Sequence, residues 1–288
     1  MTLTSSIAIF GWAPYIDRER RNGAQTHHVR DSPIASCTIR GRMGDPRHRL
    51  VSVLDEDPDL GAALDAARFA DARRLAVAPV ESHDPGSWRS RFDVSDPKAL
   101  GLLVLDGLIA VQVTTERRTN LELLGVGDVV RPWTELGPGS VPAQIAWTVK
   151  APTRAAFLDE RFVRGSLAYP ELVAALMDRL VLRARGLSLQ LAVNATPRLT
   201  DRLLLTLWHL ADRWARVTPD GVALRLPLTH SDLSHLVAAN RPSVSTAIGQ
   251  LREEHLLFPL ERGGWLLCGE PPPSLHELRR QVALPVGR

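Results

Sequence analysis

Leu226-Pro227-Leu228-Thr229-His230-Ser231-Asp232-Leu233-Ser234-His235-Leu236, and after it Asn240-Arg241-Pro242-Ser243-Val244-Ser245-Thr246-Ala247-Ile248, is the stretch that decides the fold. Thr229 stands three residues before Asp232, a capping-box spacing that predicts a helix start with Leu233, Leu236 and Val237 inward. Ala238-Ala239-Asn240 reads as a tight turn. Asn240 is a good N-cap, and Pro242 falls in the first turn of the next helix, where its missing N–H is not needed. That helix buries Val244, Ala247, Ile248 and Leu251. Downstream, Leu256–Pro259 and Trp265–Leu267 flank Glu261-Arg262-Gly263-Gly264, two strands joined by a glycine turn. Upstream, Leu199, Leu203, Leu207, Leu210 and Trp214 form a helical stripe, Thr218–Gly221 turns the chain, and Val222, Leu224 and Leu226 alternate as a strand. Two short helices, a tight turn and a hairpin spell a winged helix-turn-helix over residues 198–270.

Working back from it, residues 166–197 change period. Val173, Met177, Leu180, Ala184, Leu187, Leu191 and Asn194 alternate four and three apart, a narrow seam over three heptads with one polar member. Gly186 interrupts helix propensity by ~1 kcal/mol. Arg179, Arg183 and Arg185 lie on other faces. So narrow a stripe suits a long helix pairing with its symmetry mate; packing on its own barrel is the alternative.

Residues 49–165 read mainly as strands. A short helix over Leu60–Ala72 is the exception. Leu102–Leu105 and Leu108–Val113 flank Asp106-Gly107, which predicts a hairpin. Leu121–Leu124, Gly125–Val130, Ala146–Val149 and Ala155–Leu158 continue the series of short strands, as in a barrel of the jelly-roll kind. The fold class expected is therefore α+β: an N-terminal double-stranded β-helix (jelly-roll) barrel, a long dimerisation helix and a C-terminal winged helix-turn-helix.

Before this, residues 1–48 show no sustained period and read as an arm without packed structure; residues 271–288 read as a tail. The chain of 288 residues carries 35 basic and 32 acidic side chains, a net charge of +3. Residues 1–49 hold eight Arg against four acids, which leaves 27 basic against 28 acidic for the rest. The folded body is near neutral, so any nucleic-acid reading rests on local geometry and not on the pI of 9.3.

With 44% hydrophobic residues the chain has ample material for packed cores, which excludes global disorder. No apolar run approaches the ~18 residues of a membrane helix, and no signal peptide is legible. Cys37 and Cys268 are the two cysteines, too few for a disulfide scaffold or a cysteine-held zinc or iron–sulfur site. A cytoplasmic protein is expected. No Gly-x-Ser-x-Gly, His-Glu-x-x-His or P-loop pattern occurs, so no enzyme is expected. The histidines, His209 and His235 among them, stand at no ligand spacing, and no metal or cofactor is expected.

The quoted segment resembles the DNA-binding domain of the Crp/Fnr family of bacterial transcription regulators, whose pattern runs LPLT-x-x-D-L-A and then R-x-S-V-S-R-A-I. The order of barrel, long helix and winged helix is similar too. The resemblance is strong over 198–268, moderate over 100–197 and weak over 49–99. It implies that Arg241 reads bases, a role suited to bidentate contact with guanine O6 and N7. It implies that Ser243, Ser245 and Thr246 reach base edges or phosphates from the same helix start, and that Thr229 holds a phosphate besides capping. Thr246 stands where the family often has Arg or Lys. It implies a homodimer through Val173, Met177, Leu180, Ala184, Leu187 and Leu191, with double-stranded DNA, RNA polymerase and a small-molecule effector as partners.

The sensor half departs from that pattern. After Gly125-Val126-Gly127-Asp128-Val129, no Gly-Glu pair follows and no Arg precedes the strand at Ala146–Val149. Cyclic AMP or GMP is therefore not the expected effector. Arg131 is the candidate substitute anion anchor, or else a surface arginine between strands. Trp133 and Trp147 line a pocket or fill the core. The function read is a homodimeric, sequence-specific transcription regulator with a sensor barrel. The alternative is a non-enzymatic interaction scaffold whose winged helix binds protein.

Overall fold

The computed structural model describes residues 49–116, 118–133, 142–261, 263–275 and 277. The expected arm at 1–48, the segment 134–141 of the sensor loop and most of the tail at 271–288 lie outside the described residues.

The barrel is organised by two long strands. β1 (Arg49–Ser52), β2 (Val77–His83), β3 (Gly86–Ser87), β4 (Gly101–Thr114), β5 (Thr119–Gly125), β6 (Val129–Val130) and β7 (Gln144–Leu158) form one antiparallel sheet, ordered β1-β2-β7-β4-β5. β3 joins β7 and β6 joins β4. β4 pairs with β7 from Gly101↔Leu158 to Thr114↔Gln144.

The hairpin expected at Asp106-Gly107 is not formed. The two residues lie inside β4, at register shifts between Val104 and Asp106 and between Asp106 and Leu108. Gly107 takes φ 92°, and a Cβ there would collide with the Pro152 carbonyl and Thr153. Asp106 Oδ1 accepts the Gly107 N–H at 2.8 Å. An Asp-Gly pair that suits a two-residue turn also suits a bulge, because both need glycine's left-handed freedom. The strands expected separately at 146–149 and 155–158 likewise prove to be one strand, β7.

The bulge inverts the alternation of side chains. Leu102 and Val104 share the barrel interior with Ile109 and Val111, not with Leu108 and Ala110. That interior is filled by Trp88, Trp147, Phe157 and Leu124, with Phe92 and Trp133 against them. On the outside, the first half of β4 sends Leu103 and Leu105 into a second core. This core holds α1 (Val53–Glu56), a 3-10 turn (Pro58–Gly61) and α2 (Ala66–Leu75). It also takes Phe162 of α3 (Glu160–Ser166), and Leu172 and Leu176 of α4 (Pro170–Asn194). The helix expected over 60–72 is thus divided, because Asp65 caps α2 by accepting the Arg68 N–H at 2.9 Å.

α4 packs on the second core of the barrel through Leu172 and Leu176, and joins the core of the C-terminal domain through Leu189 and Val193. Arg183 forks onto Glu122 of β5 at 2.6 and 2.9 Å, and Arg179 reaches Asp57 at 3.4 Å. The winged domain follows as α5 (Leu199–Trp214), β8 (Ala215–Thr218), β9 (Gly221–Leu224), α6 (His230–Leu236), α7 (Arg241–Glu253), β10 (Leu257–Pro259) and β11 (Trp265–Leu267). Its sheet runs β10-β11-β9-β8. Its core is continuous with the outer face of the barrel at Leu108, Ala110, Leu121 and Leu123. Burying each large apolar side chain there contributes about 1.5–3 kcal/mol. Among the described residues, no helix is long and apolar enough to cross a membrane.

Candidate nucleic-acid interface

Local hydrogen bonds start both helices of the motif. Thr229 Oγ1 accepts the Asp232 N–H at 3.1 Å, and Asp232 Oδ2 accepts the Thr229 N–H at 2.9 Å and its hydroxyl at 2.8 Å. This is the reciprocal box the spacing predicts. Asn240 Oδ1 accepts the Ser243 N–H at 3.0 Å and starts α7. Ala238 takes φ 49° in the turn between them, and Ala239 N–H donates to the Ser234 carbonyl at 2.9 Å.

Neighbouring elements receive the free carbonyls at the end of α6. Asn194 Nδ2 and Gln190 Nε2 donate to the Leu236 carbonyl at 3.1 and 3.2 Å, and Arg202 Nη1 donates to Val237 at 3.0 Å. End groups that a helix leaves unpaired thereby become its fixings. Asn194, the polar member of the heptad seam, serves the motif in this way.

α7 buries Val244, Ala247, Ile248 and Leu251 and presents the opposite face. Arg241, Pro242, Ser245 and Thr246 are exposed and Ser243 is half-buried. The first turn holds no acid, and Glu253 and Glu254 stand at the far end. Arg241 forms no ion pair among the described residues. Ser245 Oγ donates to the Arg241 carbonyl at 3.2 Å and Thr246 Oγ1 to that of Pro242 at 3.3 Å, bonds that use each hydroxyl's proton and keep its capacity to accept. His230 Nδ1 lies 3.0 Å from Ser245 Oγ, with its ring 5.9 Å from that of Trp265. Sequence reading did not single out His230; its only signal is its place immediately after the cap. It links the start of α6 to the start of α7.

The wing turn is closed by Leu260 N–H to the Gly264 carbonyl at 3.1 Å and by Gly263 N–H to Leu260 at 3.0 Å. Gly264 takes φ 95° against the Leu224 carbonyl, where a Cβ has no room.

The other singled-out residues lie elsewhere. Along α4, Met177, Leu180, Ala184, Leu187 and Leu191 are exposed and Val173 is half-buried, on a different face from the stripe that packs on the barrel. Leu191 is 74% exposed. Arg131 donates its guanidinium to the backbone carbonyls of Ala99 and, at 3.1 Å, Asp96. Trp147 Nε1 donates to the Trp133 carbonyl at 3.0 Å and packs in the barrel core. His235 lies 3.4 Å from Gln112 Nε2 of β4.

Residues 201–267 match the family model described as the Crp-like helix-turn-helix domain. No curated protein matches the chain in sequence. Among solved structures, a CooA mutant from Carboxydothermus hydrogenoformans is similar at TM-score 0.52 and 15% identity, covering 71% of this chain and 87% of that one. FixK2 from Bradyrhizobium japonicum is similar at TM-score 0.52 and 16% identity, covering 70% and 96%. A cyclic nucleotide-binding domain containing protein from Listeria monocytogenes is similar at TM-score 0.53 and 16% identity, covering 73% and 96%. Residues 201–267 therefore match the Crp-like helix-turn-helix domain, and the chain as a whole shares the fold of these three solved structures.

Proposed function

We propose that the chain is a cytoplasmic, homodimeric, sequence-specific DNA-binding regulator of transcription with α7 as its recognition helix. The observation that carries the reading is the start of α7: an exposed guanidinium and three hydroxyl side chains with no acid in the turn. Such a surface is complementary to phosphates and to the acceptor-rich edge of guanine in the major groove. Arg241 reads a base, while Ser243, Ser245 and Thr246 bond base edges or phosphates. The Thr229 hydroxyl is engaged by Asp232, so at that helix start the contact to phosphate runs through the first N–H groups that Thr229 orients.

The exposed heptad face of α4 supports pairing with a second copy, which sets two α7 helices about one helical turn of DNA apart. RNA polymerase is then the natural further partner. The sensor barrel takes a small effector other than a cyclic nucleotide, since Arg131 is committed to the Asp96 and Ala99 carbonyls.

The test is a gel-shift titration of the full chain on the DNA upstream of its own coding sequence, against random DNA at low salt. Tighter binding to one upstream segment supports the reading. No DNA binding at low salt overturns it and leaves the protein-interaction scaffold.

A further inference from the structure

A cavity of about 480 Å³ lies on the outer face of the barrel sheet, beside the edge strand β1. Its wall follows from strand register. Arg49 of β1 stands opposite Val80 of β2, and Ser82 of β2 stands opposite Arg154 of β7. Residues two apart on a strand share a face, so Arg49, Val51, Val80, Ser82 and Arg154 all lie on one side of the sheet. Glu56 of α1 and Arg91, from the segment between β3 and β4, complete the lining. Glu81 borders the cavity as well, but its side chain is 0% exposed and turns to the opposite face of β2. There, among the described residues, Glu81 Oε1, His83 Nε2 and Trp88 Nε1 are buried without hydrogen-bond partners.

The charges of the cavity do not balance. Three arginines line it, against the single carboxylate of Glu56. Arg154 is the one that Glu56 answers, in a fork at 2.7 and 3.2 Å. Arg49 and Arg91 are exposed and form no ion pair among the described residues, and Ser82 is exposed beside them. Two positive charges are left over, next to an apolar patch of Val51 and Val80. A monoanion answers one of them; a dianion answers both. A phosphate monoester carries about two negative charges at neutral pH and three strong acceptor oxygens on one atom. Guanidinium forks and a hydroxyl are donors that suit such a group. Bare phosphate leaves much of the cavity unfilled, whereas an organic body has the two valines to lie on.

We infer that this cavity binds a small organic phosphate of the monoester class. Its phosphoryl oxygens accept from Arg49, Arg91 and the Ser82 hydroxyl, and its organic part packs on Val51 and Val80, while Arg154 stays with Glu56. The residue after Glu56, Asp57, is met by Arg179 of α4 at 3.4 Å, so α1 stands between the cavity and the long helix. The site names an effector class for the domain read above as a sensor and rests on that reading for its consequence, but binding itself is measured without DNA.

The experiment is calorimetry on the full chain at low ionic strength, with phenyl phosphate, inorganic phosphate and succinate as probes. The expected result is an isotherm for phenyl phosphate, with inorganic phosphate and succinate both weaker. Arg49→Met and Arg91→Met each remove a charge-assisted donor and should weaken binding by about tenfold or more. Both side chains are exposed, so the variants keep the fold, which circular dichroism checks. The proposal is overturned if phenyl phosphate gives no isotherm at millimolar concentration, if either other probe binds as tightly, or if either variant binds like the parent. It is overturned too if Arg241→Ala abolishes the isotherm, which would place the phosphate on α7. A gel shift on the same chain separates the two readings. An isotherm from a chain that binds no DNA keeps this site and removes the regulator, and DNA binding without an isotherm does the reverse.

Discussion

Lys150 Nζ lies 2.6 Å from Asp232 Oδ1, joining a strand of the barrel to the first turn of the helix-turn-helix. The lysine side chain is 18% exposed and the aspartate 4%. The other oxygen of the same carboxylate closes the capping box with Thr229. A single side chain therefore starts α6 and ties it to β7. Burial pushes the Asp232 carboxyl up, but the hydrogen bonds from Lys150 and Thr229 outweigh it and hold the group below the usual carboxylate range. One helical turn on, His235 and Gln112 make a second polar contact across the same junction.

Lys150→Met removes the cation and keeps most of the apolar stem. It leaves a buried carboxylate with fewer donors, and urea unfolding should show a loss of about 1–3 kcal/mol. Hydrogen exchange should speed up first in α6, where the pair acts. Unchanged protection there would show that the apolar junction alone holds the two domains together.

The pair also sets a dependence on acid. A carboxyl whose folded pKa is depressed adds stability above its unfolded value, about 3.9 for Asp, and loses it as the pH falls through the folded value. The stability gap between the parent chain and Lys150→Met should therefore be full at neutral pH and narrow below about pH 4. A gap that widens on acidification would assign the shift to another group.

Arg241→Ala should weaken binding at the cognate site by about 1–3 kcal/mol, roughly tenfold to a hundredfold, with a smaller loss on random DNA. Arg225, exposed just before α6, serves as the control whose removal lowers both affinities together. Equal losses on the two DNAs for Arg241→Ala would make it a phosphate contact and not a base reader.

Leu180→Asp places a charge on the outward face of α4, where Leu180 is 37% exposed and supports little of the protomer's own core. Light scattering should report monomers with an unchanged melting temperature. A mass that stays dimeric would move the interface off this face.

Two glycines should respond in opposite directions. Gly107→Ala forces a side chain into φ 92° against the Pro152 carbonyl and should cost about 2 kcal/mol or more. Gly249 lies within α7 with nothing near its missing Cβ, so Gly249→Ala should add about 0.5–1 kcal/mol. Thermal unfolding of the two variants checks both signs.

The helix-turn-helix was legible because its signals are short-range. Thr229 with Asp232, and Asn240 with Ser243, are separated by three residues, and a cap of that span needs no partner from a distant part of the chain. Val244, Ala247, Ile248 and Leu251 follow the helical period, so the buried face of α7 is written in the chain itself. The heptad face of α4 is readable for the same reason, and its exposure follows once another stripe, Leu172 to Val193, turns inward onto the cores of the two domains.

The barrel was less legible, because the conformation of its key residues depends on a distant partner. Asp106-Gly107 is compatible with a turn or with a bulge, and the choice belongs to β7, which pairs with both flanking runs and keeps them in one strand. The bulge then reverses which residues of β4 face inward, a parity that no local alternation can reveal. Lys150 meets Asp232 across 82 residues of chain, and Arg183 meets Glu122 across 61. Glu81, His83 and Trp88 carry no spacing signal at all; their unpaired atoms meet only because β2 and the segment after it close on the end of the barrel. Local periods and caps are properties of the sequence by itself. The domain junction and the buried polar cluster were decided by tertiary structure, since a side chain's charge and hydrogen-bond balance depend on what long-range strand pairing brings beside it.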